Sequence, residues 1–266
     1  MTPISIACAL LITATSLFST GVHAKIIKSD DMVAANAGAL NLPPVVRQAV
    51  DTIGLMSVGC TGTHIGSNLV VSAGHCFSTL FVPPSYHAPC QGMTIQWGVR
   101  GDRRGMISRC TRIVAIELSL QRDWVVFEVD RAPSPYSQVE LQSRVVPRTP
   151  LTILSHPENL PLRWSRLCRA LPFVSASDVP SAFHHQCDTN PGSSGAPIYD
   201  ARTMKLVGIH NGGFSSSQTS QEGRYNYATY ITDIPWERVI AKARVRGPLR
   251  PFPGMFDFNP PSEPLN

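Results

Sequence analysis

Val70-Val-Ser-Ala-Gly-His-Cys76 joins an apolar run to a tight turn that carries two chemically active side chains. The β-branched residues at its start predict a short buried strand. The histidine stands at the end of that strand, and a disulfide through the adjacent cysteine would fix this corner of the chain. A histidine in such a turn can also be purely structural, so its function depends on what accompanies it elsewhere.

Strand-length apolar runs recur on both sides of this stretch, separated by turns rich in Gly, Pro, Asn and Ser. These runs contain many β-branched residues and comprise positions 68–71, 113–116, 124–127, 151–154, 196–199 and 206–209. No helical repeat of ten or more residues interrupts them. The pattern predicts an all-β sandwich or barrel.

A helix is predicted near the C terminus, where Asp233 is a suitable N-cap and Pro235 suits the first turn. Its apolar face would comprise Trp236, Val239, Ile240 and Ala243. Gly247-Pro248 ends the helix. The proline-rich tail that follows carries four large apolar side chains that favour docking on the body over disorder: Phe252, Met255, Phe256 and Phe258.

The N-terminal residues have the pattern of an export signal, with a mostly apolar core and small residues before a cleavage point after Ala24. Later segments are too short or too polar to cross a bilayer. We therefore expect a secreted or periplasmic protein that does not associate with membranes once the signal is removed. The chain divides into a signal peptide (1–24), a propeptide or N-terminal arm (25–50), the β-rich domain (51–246) and the tail (247–266).

Composition excludes several classes of protein. The hydrophobic content of 43% is ordinary for a globular domain, and the net charge of +5 comes without a dense Lys/Arg stripe. We therefore expect no nucleic-acid partner. The richest local run of arginines is interpreted as a solvated face or loop and comprises Arg100, Arg103, Arg104, Arg109 and Arg112.

Six cysteines follow the signal, and an even number in an exported chain predicts disulfides: Cys60, Cys76, Cys90, Cys110, Cys168 and Cys187. Their number alone leaves fifteen pairings open. The chain has no CxxC pair and no histidine spacing that would complete a zinc site. We expect neither a metal nor a cofactor.

Asn190-Pro-Gly-Ser-Ser-Gly-Ala-Pro197 has the composition of a loop that activates a serine. A serine nucleophile needs a base beside it and donors for the oxyanion. The amides of Gly192 and Ser194 could be those donors, and Gly195 leaves room for substrate. Such a run also fits a flexible turn.

Asp123 leads directly into the apolar run that begins at Trp124. A carboxylate next to a buried strand is costly unless it has a partner, and a histidine N–H is such a partner. Taken alone, this residue fits a turn or a cap equally well.

The three elements together resemble the chymotrypsin/trypsin-like serine protease superfamily, from about Leu55 to Lys242. The chain order of His75, Asp123 and Ser194 is that of this fold, and the histidine motif matches closely. The resemblance implies two six-stranded antiparallel β-barrels with a C-terminal helix. In that fold Ser194 would be the nucleophile, His75 the base and Asp123 the residue that orients it.

The resemblance also implies a Cys60–Cys76 disulfide beside the base. Nearest-neighbour reasoning adds Cys90–Cys110 and Cys168–Cys187. The function it implies is peptide-bond hydrolysis by a secreted, monomeric endopeptidase acting on proteins or peptides. Two alternatives stay open: a catalytically silent relative that binds through the same cleft, and an esterase or other acyl-transfer enzyme.

Ser193 departs from the digestive enzymes, which have an aspartate there to pair with a freed N terminus. The sequence looks more like the glutamyl-endopeptidase (V8-like) branch, which has a Gly-Ile-His segment. This likeness implies that Thr189 and His210 line the S1 pocket and that an acidic residue precedes the scissile bond (P1). The alternative is that Thr189 and His210 only form the pocket wall and confer no acidic preference.

The same likeness adds Asn211 and Gly212 to the substrate-binding residues. It also implies a mature N-terminal amine near S1, which the sequence does not locate. His184 and His185, just ahead of Cys187, are expected to be exposed loop residues near the pocket rim.

Overall fold

A computed structural model describes residues 25–35, 42–101, 105–119, 121–172, 181–215, 223–251 and 255. The predicted signal segment and most of the proline-rich tail lie outside these ranges. The described residues form fourteen strands, β1 (Val33–Ala34), β2 (Ile53–Met56), β3 (Thr61–His64), β4 (Leu69–Ser72), β5 (Val82–Ala88), β6 (Thr94–Trp97), β7 (Ile107–Leu118), β8 (Asp123–Val129), β9 (Pro150–Ser155), β10 (Arg163–Arg169), β11 (Ala182–His185), β12 (Pro197–Asp200), β13 (Leu206–Ser215) and β14 (Gly223–Tyr230). They also form two α-helices, α1 (Pro44–Val50) and α2 (Trp236–Arg244).

The first barrel is a closed antiparallel sheet with the strand order β7-β6-β2-β3-β4-β8, in which β8 pairs back onto β7. Strand β5 adds to the outer side of β7. The apolar run in β8 is buried along its whole length from Trp124 to Phe127. Such a run is stable in a strand when both of its faces are covered.

The second barrel has the order β10-β9-β12-β13-β14-β11, and β1 adds beside β10. An antiparallel bridge between Ala170 and His185 joins its two ends. All six apolar runs named above lie wholly or largely in strands. The prediction of an all-β, trypsin-like fold with a C-terminal helix is confirmed.

Residues 25–35 and 42–50 are packed on this body. Strand β1 pairs with β10, and the backbone N–H of Ala35 donates to the carbonyl of Leu162 at 2.8 Å. Helix α1 buries Val46 and Val50 against the main core. This segment therefore contributes a strand and a helix to the folded protein.

Helix α2 lies where it was predicted, but its N-cap is Pro235. The prediction that Asp233 caps the helix is wrong, because Asp233 ends a 3-10 turn and forms an ion pair with Arg144. On the predicted apolar face Val239 is fully buried, whereas Ile240 is 40% exposed.

Two of the five clustered arginines, Arg100 and Arg112, are buried, which contradicts the prediction of a solvated face. The Arg112 guanidinium pairs with Glu128 at 2.7 Å and donates to the carbonyls of Ala243 and Val245 at 2.6 and 2.8 Å. The last carbonyls of a helix have no intrahelical partner, so a buried guanidinium satisfies them well. Arg112 thereby ties the end of α2 to β7.

The other members of that cluster are Arg109, which is exposed, and Arg103 and Arg104, which lie outside the described residues. In the tail, Met255 forms an isolated bridge with Ser78 and packs on the core. The remaining tail residues expected to dock lie outside the described ranges: Phe252, Phe256 and Phe258.

The three expected disulfides are present: Cys60–Cys76, Cys90–Cys110 and Cys168–Cys187. Disulfides are typical of proteins that fold in an oxidising compartment. Within the described ranges, neither helix has the length and apolar character needed to span a membrane.

Candidate active site

His75 and Asp123 lie in direct contact in the first barrel. His75 belongs to a 3-10 turn that follows β4, and Asp123 opens β8, which pairs with β4. One carboxylate oxygen of Asp123 lies 2.6 Å from Nδ1 of His75, and the other accepts the backbone N–H of His75 at 2.9 Å. Both the imidazole orientation and its backbone are therefore set by one carboxylate.

The contact with Asp123 stabilises the protonated form of His75 relative to that of a free histidine. Burial lowers the pKa of His75, but the charge of Asp123 and its hydrogen bond raise it, and the net result is a pKa above the ordinary 6.5. The His75 side chain remains 35% exposed, so it is accessible to solvent. Such a group can accept a proton near neutral pH and return it.

The Cys60–Cys76 disulfide lies beside this imidazole. Its sulfur atoms and a ring nitrogen of His75 lie within 4.8 Å of one another. Because both sulfurs are oxidised, this group offers no thiolate to a metal. The disulfide instead attaches the turn that carries His75 to the chain segment next to β3.

Ser194 is half-buried and belongs to a loop that contacts the first barrel. The backbone N–H of Thr61 donates to the Ser194 carbonyl at 2.8 Å. A Cβ on Gly195 would collide with the Ser72 hydroxyl and the Thr61 carbonyl, so this close approach requires glycine. The contacts bring Ser194 beside the segment that leads to His75.

The two peptide groups that flank Gly192 are both fixed from outside the loop. The Pro191 carbonyl accepts the backbone N–H of Glu158, and the Gly192 carbonyl accepts the Thr61 hydroxyl at 2.9 Å. In a planar trans peptide the N–H points away from the carbonyl, so the Gly192 N–H is directed to the opposite side from Glu158. Gly192 has φ +95°, which favours glycine.

The uncharged Ser193 is fully buried and is held by hydrogen bonds. Its hydroxyl donates to Ser155 at 3.1 Å and accepts the Asn190 N–H at 3.3 Å. Its backbone N–H donates to the Asn190 carbonyl at 2.9 Å. Ser193 and Thr61 therefore stabilise the loop where digestive enzymes use an ion pair, and sequence reasoning missed Thr61 because it lies outside every motif.

The expected pocket residue Thr189 is buried and contacts the N-terminal segment. Its hydroxyl lies 3.3 Å from the backbone nitrogen of Lys25, and the Asn226 side-chain oxygen lies 3.0 Å from the same atom. The Asn226 amide donates to the carbonyl of Lys25 and to that of Cys187, both at 2.8 Å. Asn226 was missed in the sequence because an asparagine in a strand carries no motif.

Asp188 anchors the same segment a few residues further along. Its carboxylate accepts the backbone N–H groups of Ile27 at 2.7 Å and Asp31 at 3.1 Å. Burial raises the pKa of Asp188 to about 6, although these two hydrogen bonds oppose the shift. Residues 25–31 are thus attached directly next to Thr189.

His210 lies in β13 beside the loop that carries Ser194, since its carbonyl accepts the Gly195 N–H at 2.8 Å and its N–H donates to the carbonyl of Ala196. Its side chain is fully buried, and burial followed by the charge of His75 lowers its pKa to about 3. The imidazole is therefore neutral at physiological pH.

The remaining expected binding residues also lie in β13. The Asn211 amide donates to the Asp123 carbonyl at 2.8 Å, and its oxygen accepts the Thr229 N–H at 2.7 Å. The Asn211 side chain is thus committed to positioning Asp123. Gly212 is paired with Tyr227 of β14.

The prediction that His184 and His185 are exposed loop residues is wrong. Both lie in β11 and are at most 1% exposed. They are buried because β11 pairs with β14 and closes the second barrel, which turns a segment without strand-like alternation into an interior strand.

The family model described as "Trypsin-like peptidase domain" matches residues 60–209, which is more than half of the chain. The protein therefore belongs to the trypsin-like peptidase family and is a serine peptidase. A search of curated protein sequences gave no match.

Solved protease structures share the fold. A Glu endopeptidase has a TM-score of 0.57 at 19% identity, over 82% of this chain and 100% of its own. The VesB protease of Vibrio cholerae has a TM-score of 0.55 at 16% identity, over 76% of this chain and 64% of its own. A protease from M. tuberculosis in its active form gives 0.54 at 15% identity, over 78% and 87%.

Proposed function

We propose that this peptidase is a secreted endopeptidase that cleaves after acidic residues, with Ser194 as nucleophile, His75 as general base and Asp123 as its orienting partner. The observation that carries the specificity is the backbone nitrogen of Lys25 beside Thr189 and Asn226. Its protein or peptide substrate would bind in the cleft that His75 and Ser194 share.

The proposed chemistry follows from the contacts of His75. Its ring takes the proton of the Ser194 hydroxyl as the oxygen attacks the peptide carbonyl, and then gives that proton to the leaving amine. Asp123 stabilises the imidazolium, consistent with the raised pKa of His75. The N–H groups of Gly192 and Ser194 would bind the oxyanion, and water would then release the acyl group by the same steps.

Signal removal after Ala24 would create the specificity pocket. In the uncleaved chain the nitrogen of Lys25 is a peptide N–H; after cleavage it is an α-ammonium group between Thr189 and Asn226. An ammonium, a hydroxyl and the imidazole of His210 would then be available to a P1 carboxylate, and charge-assisted hydrogen bonds of this kind are the strong ones. The structural similarity to a Glu endopeptidase favours the same specificity.

On this proposal residues 25–50 are an N-terminal arm of the mature enzyme and not a propeptide. The arm contributes β1 and α1 to the fold and is anchored by Asp188. The domain limits proposed are a signal peptide at 1–24, a peptidase domain whose arm begins at Lys25, and a proline-rich tail at 247–266.

The test is the purified, exported protein with a matched peptide series that differs at P1 only, with Glu, Gln, Asp, Leu and Lys. Mass spectrometry should give an N terminus at Lys25, and kcat/KM should favour Glu over Gln by about 10–100-fold, the range of a hydrogen bond to a charged group. Equal cleavage after Glu and Gln would refute the acidic preference.

A fluorophosphonate label separates this proposal from a silent binding protein. It should modify the wild type and leave Ser194→Ala unmodified. A folded, processed wild type that the label does not modify would refute the proposed catalytic activity. Turnover of esters without peptide cleavage would favour the esterase alternative.

A further inference from the structure

A pair of buried histidines connects β11 to β13 in the second barrel. Nε2 of His185 lies 3.2 Å from Nδ1 of His210, and both side chains are completely buried. On the far side of the first ring, Nδ1 of His185 lies 3.3 Å from the backbone nitrogen of Cys187. The three groups form a chain of hydrogen bonds that runs from a backbone amide to His210.

The direction of each hydrogen bond follows from the backbone amide, which can only donate. Nδ1 of His185 must therefore accept the Cys187 N–H and carry no hydrogen. A neutral imidazole has one hydrogen, so in His185 it is on Nε2, which donates to Nδ1 of His210. By the same rule the hydrogen of a neutral His210 is on Nε2.

Both rings are neutral in this environment. Burial is the largest cause that lowers the pKa of His185 well below 6.5, and the neighbouring histidines lower it further. Burial also lowers the pKa of His210 to about 3. The tautomers are therefore determined by hydrogen bonds and not by charge.

Nε2 of His210 is buried and has no hydrogen-bond partner among the described residues. A buried donor without a partner destabilises a folded protein, and a ligand that supplies the acceptor would account for its retention. We propose that His185 is a positioning residue that fixes His210 as its Nε2–H tautomer, so that His210 presents a neutral donor to the P1 carboxylate. This inference rests on the proposed acidic specificity for its ligand, but the tautomers can be tested without it.

The direct test is NMR of the Ser194→Ala protein with ¹⁵N-labelled histidine, because couplings between ring nitrogens and carbon-bound protons distinguish the two neutral tautomers. His185 and His210 should both carry hydrogen on Nε2 across neutral pH. A His210 signal with the hydrogen on Nδ1, or with both nitrogens protonated, would overturn the proposal even if the enzyme prefers Glu.

Kinetics test the consequence for specificity. His185→Phe keeps a ring of similar size but removes the donor, whereas His185→Gln offers an amide donor toward His210. We expect kcat/KM for the Glu peptide to fall at least tenfold in the Phe variant and to recover largely in the Gln variant, with a Leu peptide changed less than about threefold, because one charge-assisted hydrogen bond is lost.

His184→Gln is the matched control, since His184 is the adjacent buried residue and stacks on Tyr225. It should leave the Glu to Leu ratio unchanged. An equal loss for Glu and Leu peptides in His185→Phe would mean a structural role and refute the proposal. A wild type without Glu preference would refute the proposed specificity instead, while the tautomer measurement would still decide the role of His185.

Discussion

Replacing Thr61 by valine removes one hydroxyl group and keeps the branched shape of the side chain. This hydroxyl donates to the Gly192 carbonyl at 2.9 Å and accepts the His156 N–H at 3.0 Å. Thr61 and His156 are fully buried. The substitution would therefore leave two backbone groups without their hydrogen-bond partner.

The magnitude follows from those two groups. Each buried, unsatisfied polar group costs about 1–3 kcal/mol, so the free energy of unfolding should fall by roughly 2–6 kcal/mol. The substitution also affects the loop that carries Gly192. Without the Thr61 hydroxyl, the Gly192 peptide is freer to rotate away from the proposed oxyanion site. Removal of one oxyanion donor lowers kcat by about 10²–10³-fold. Because Thr61→Val loosens such a donor without removing it, we expect kcat to fall by about 10–10³-fold.

The assay combines urea unfolding, titration of active sites with a fluorophosphonate, and kcat and KM for the best peptide. Thr63→Val is the matched control, since Thr63 lies in the same strand, is equally buried, and its hydroxyl has no partner among the described residues. It should be neutral or stabilising. A Thr61→Val enzyme with wild-type kcat and stability would refute the reasoning that this hydroxyl holds the loop.

Three further predictions concern charged groups. The acid limb of kcat/KM should have an apparent pKa above 6.5, because Asp123 raises the pKa of His75; Asp123→Asn should move it to lower pH and reduce kcat by about 10⁴-fold. Burial raises the pKa of Asp188 from 3.8 to about 6, so the folded state favours its protonated form. Its contribution to stability is fully present below pH 3.8 and is lost as pH rises through about 6, and Asp188→Asn should flatten urea-unfolding stability over this window. Arg112→Met should destabilise the protein by about 3–5 kcal/mol, because Glu128 keeps only the exposed Arg246 as an ionic partner and the carbonyls of Ala243 and Val245 lose their buried donor.

For each of these three predictions, a specific result would contradict it. If the acid limb of kcat/KM has the same apparent pKa in Asp123→Asn, that limb does not report the protonation of His75. Stability that rises between pH 4 and 6 would reverse the sign argued for Asp188. Arg109→Met is the control for Arg112, since Arg109 is an exposed neighbour in β7, and equal effects of the two substitutions would contradict a role for burial.

The strands were predictable because their signal is local. Runs such as 124–127 and 151–154 are apolar and β-branched over the length of one strand, and they form strands in both barrels. The disulfide partners are near in sequence and were predicted correctly. The position of Asp123 next to His75 was predicted from chain order and motif, and the two are in contact.

The errors fall where a neighbour distant in sequence decides the environment. His184 and His185 follow only two apolar residues, Ala182 and Phe183, which is too short a run to indicate burial, yet β14 covers them. Arg112 is of a residue type that is usually exposed, yet the end of α2 packs over it. In each case barrel closure or helix docking supplies the partner, and a single sequence contains no record of that pairing.

The sequence by itself determined the class of protein, because the histidine turn beginning at Val70, Asp123 and the serine loop at 190–197 are each encoded within a few residues and occur in one chain order. What holds the neighbouring serine loop was decided by tertiary structure alone. Thr61 reaches Gly192 across 131 positions, and Lys25 meets Thr189 across 164. Hydrogen bonds are short-ranged, so only the folding of the two barrels, which brings these atoms to 2.9 and 3.3 Å from each other, creates the contacts.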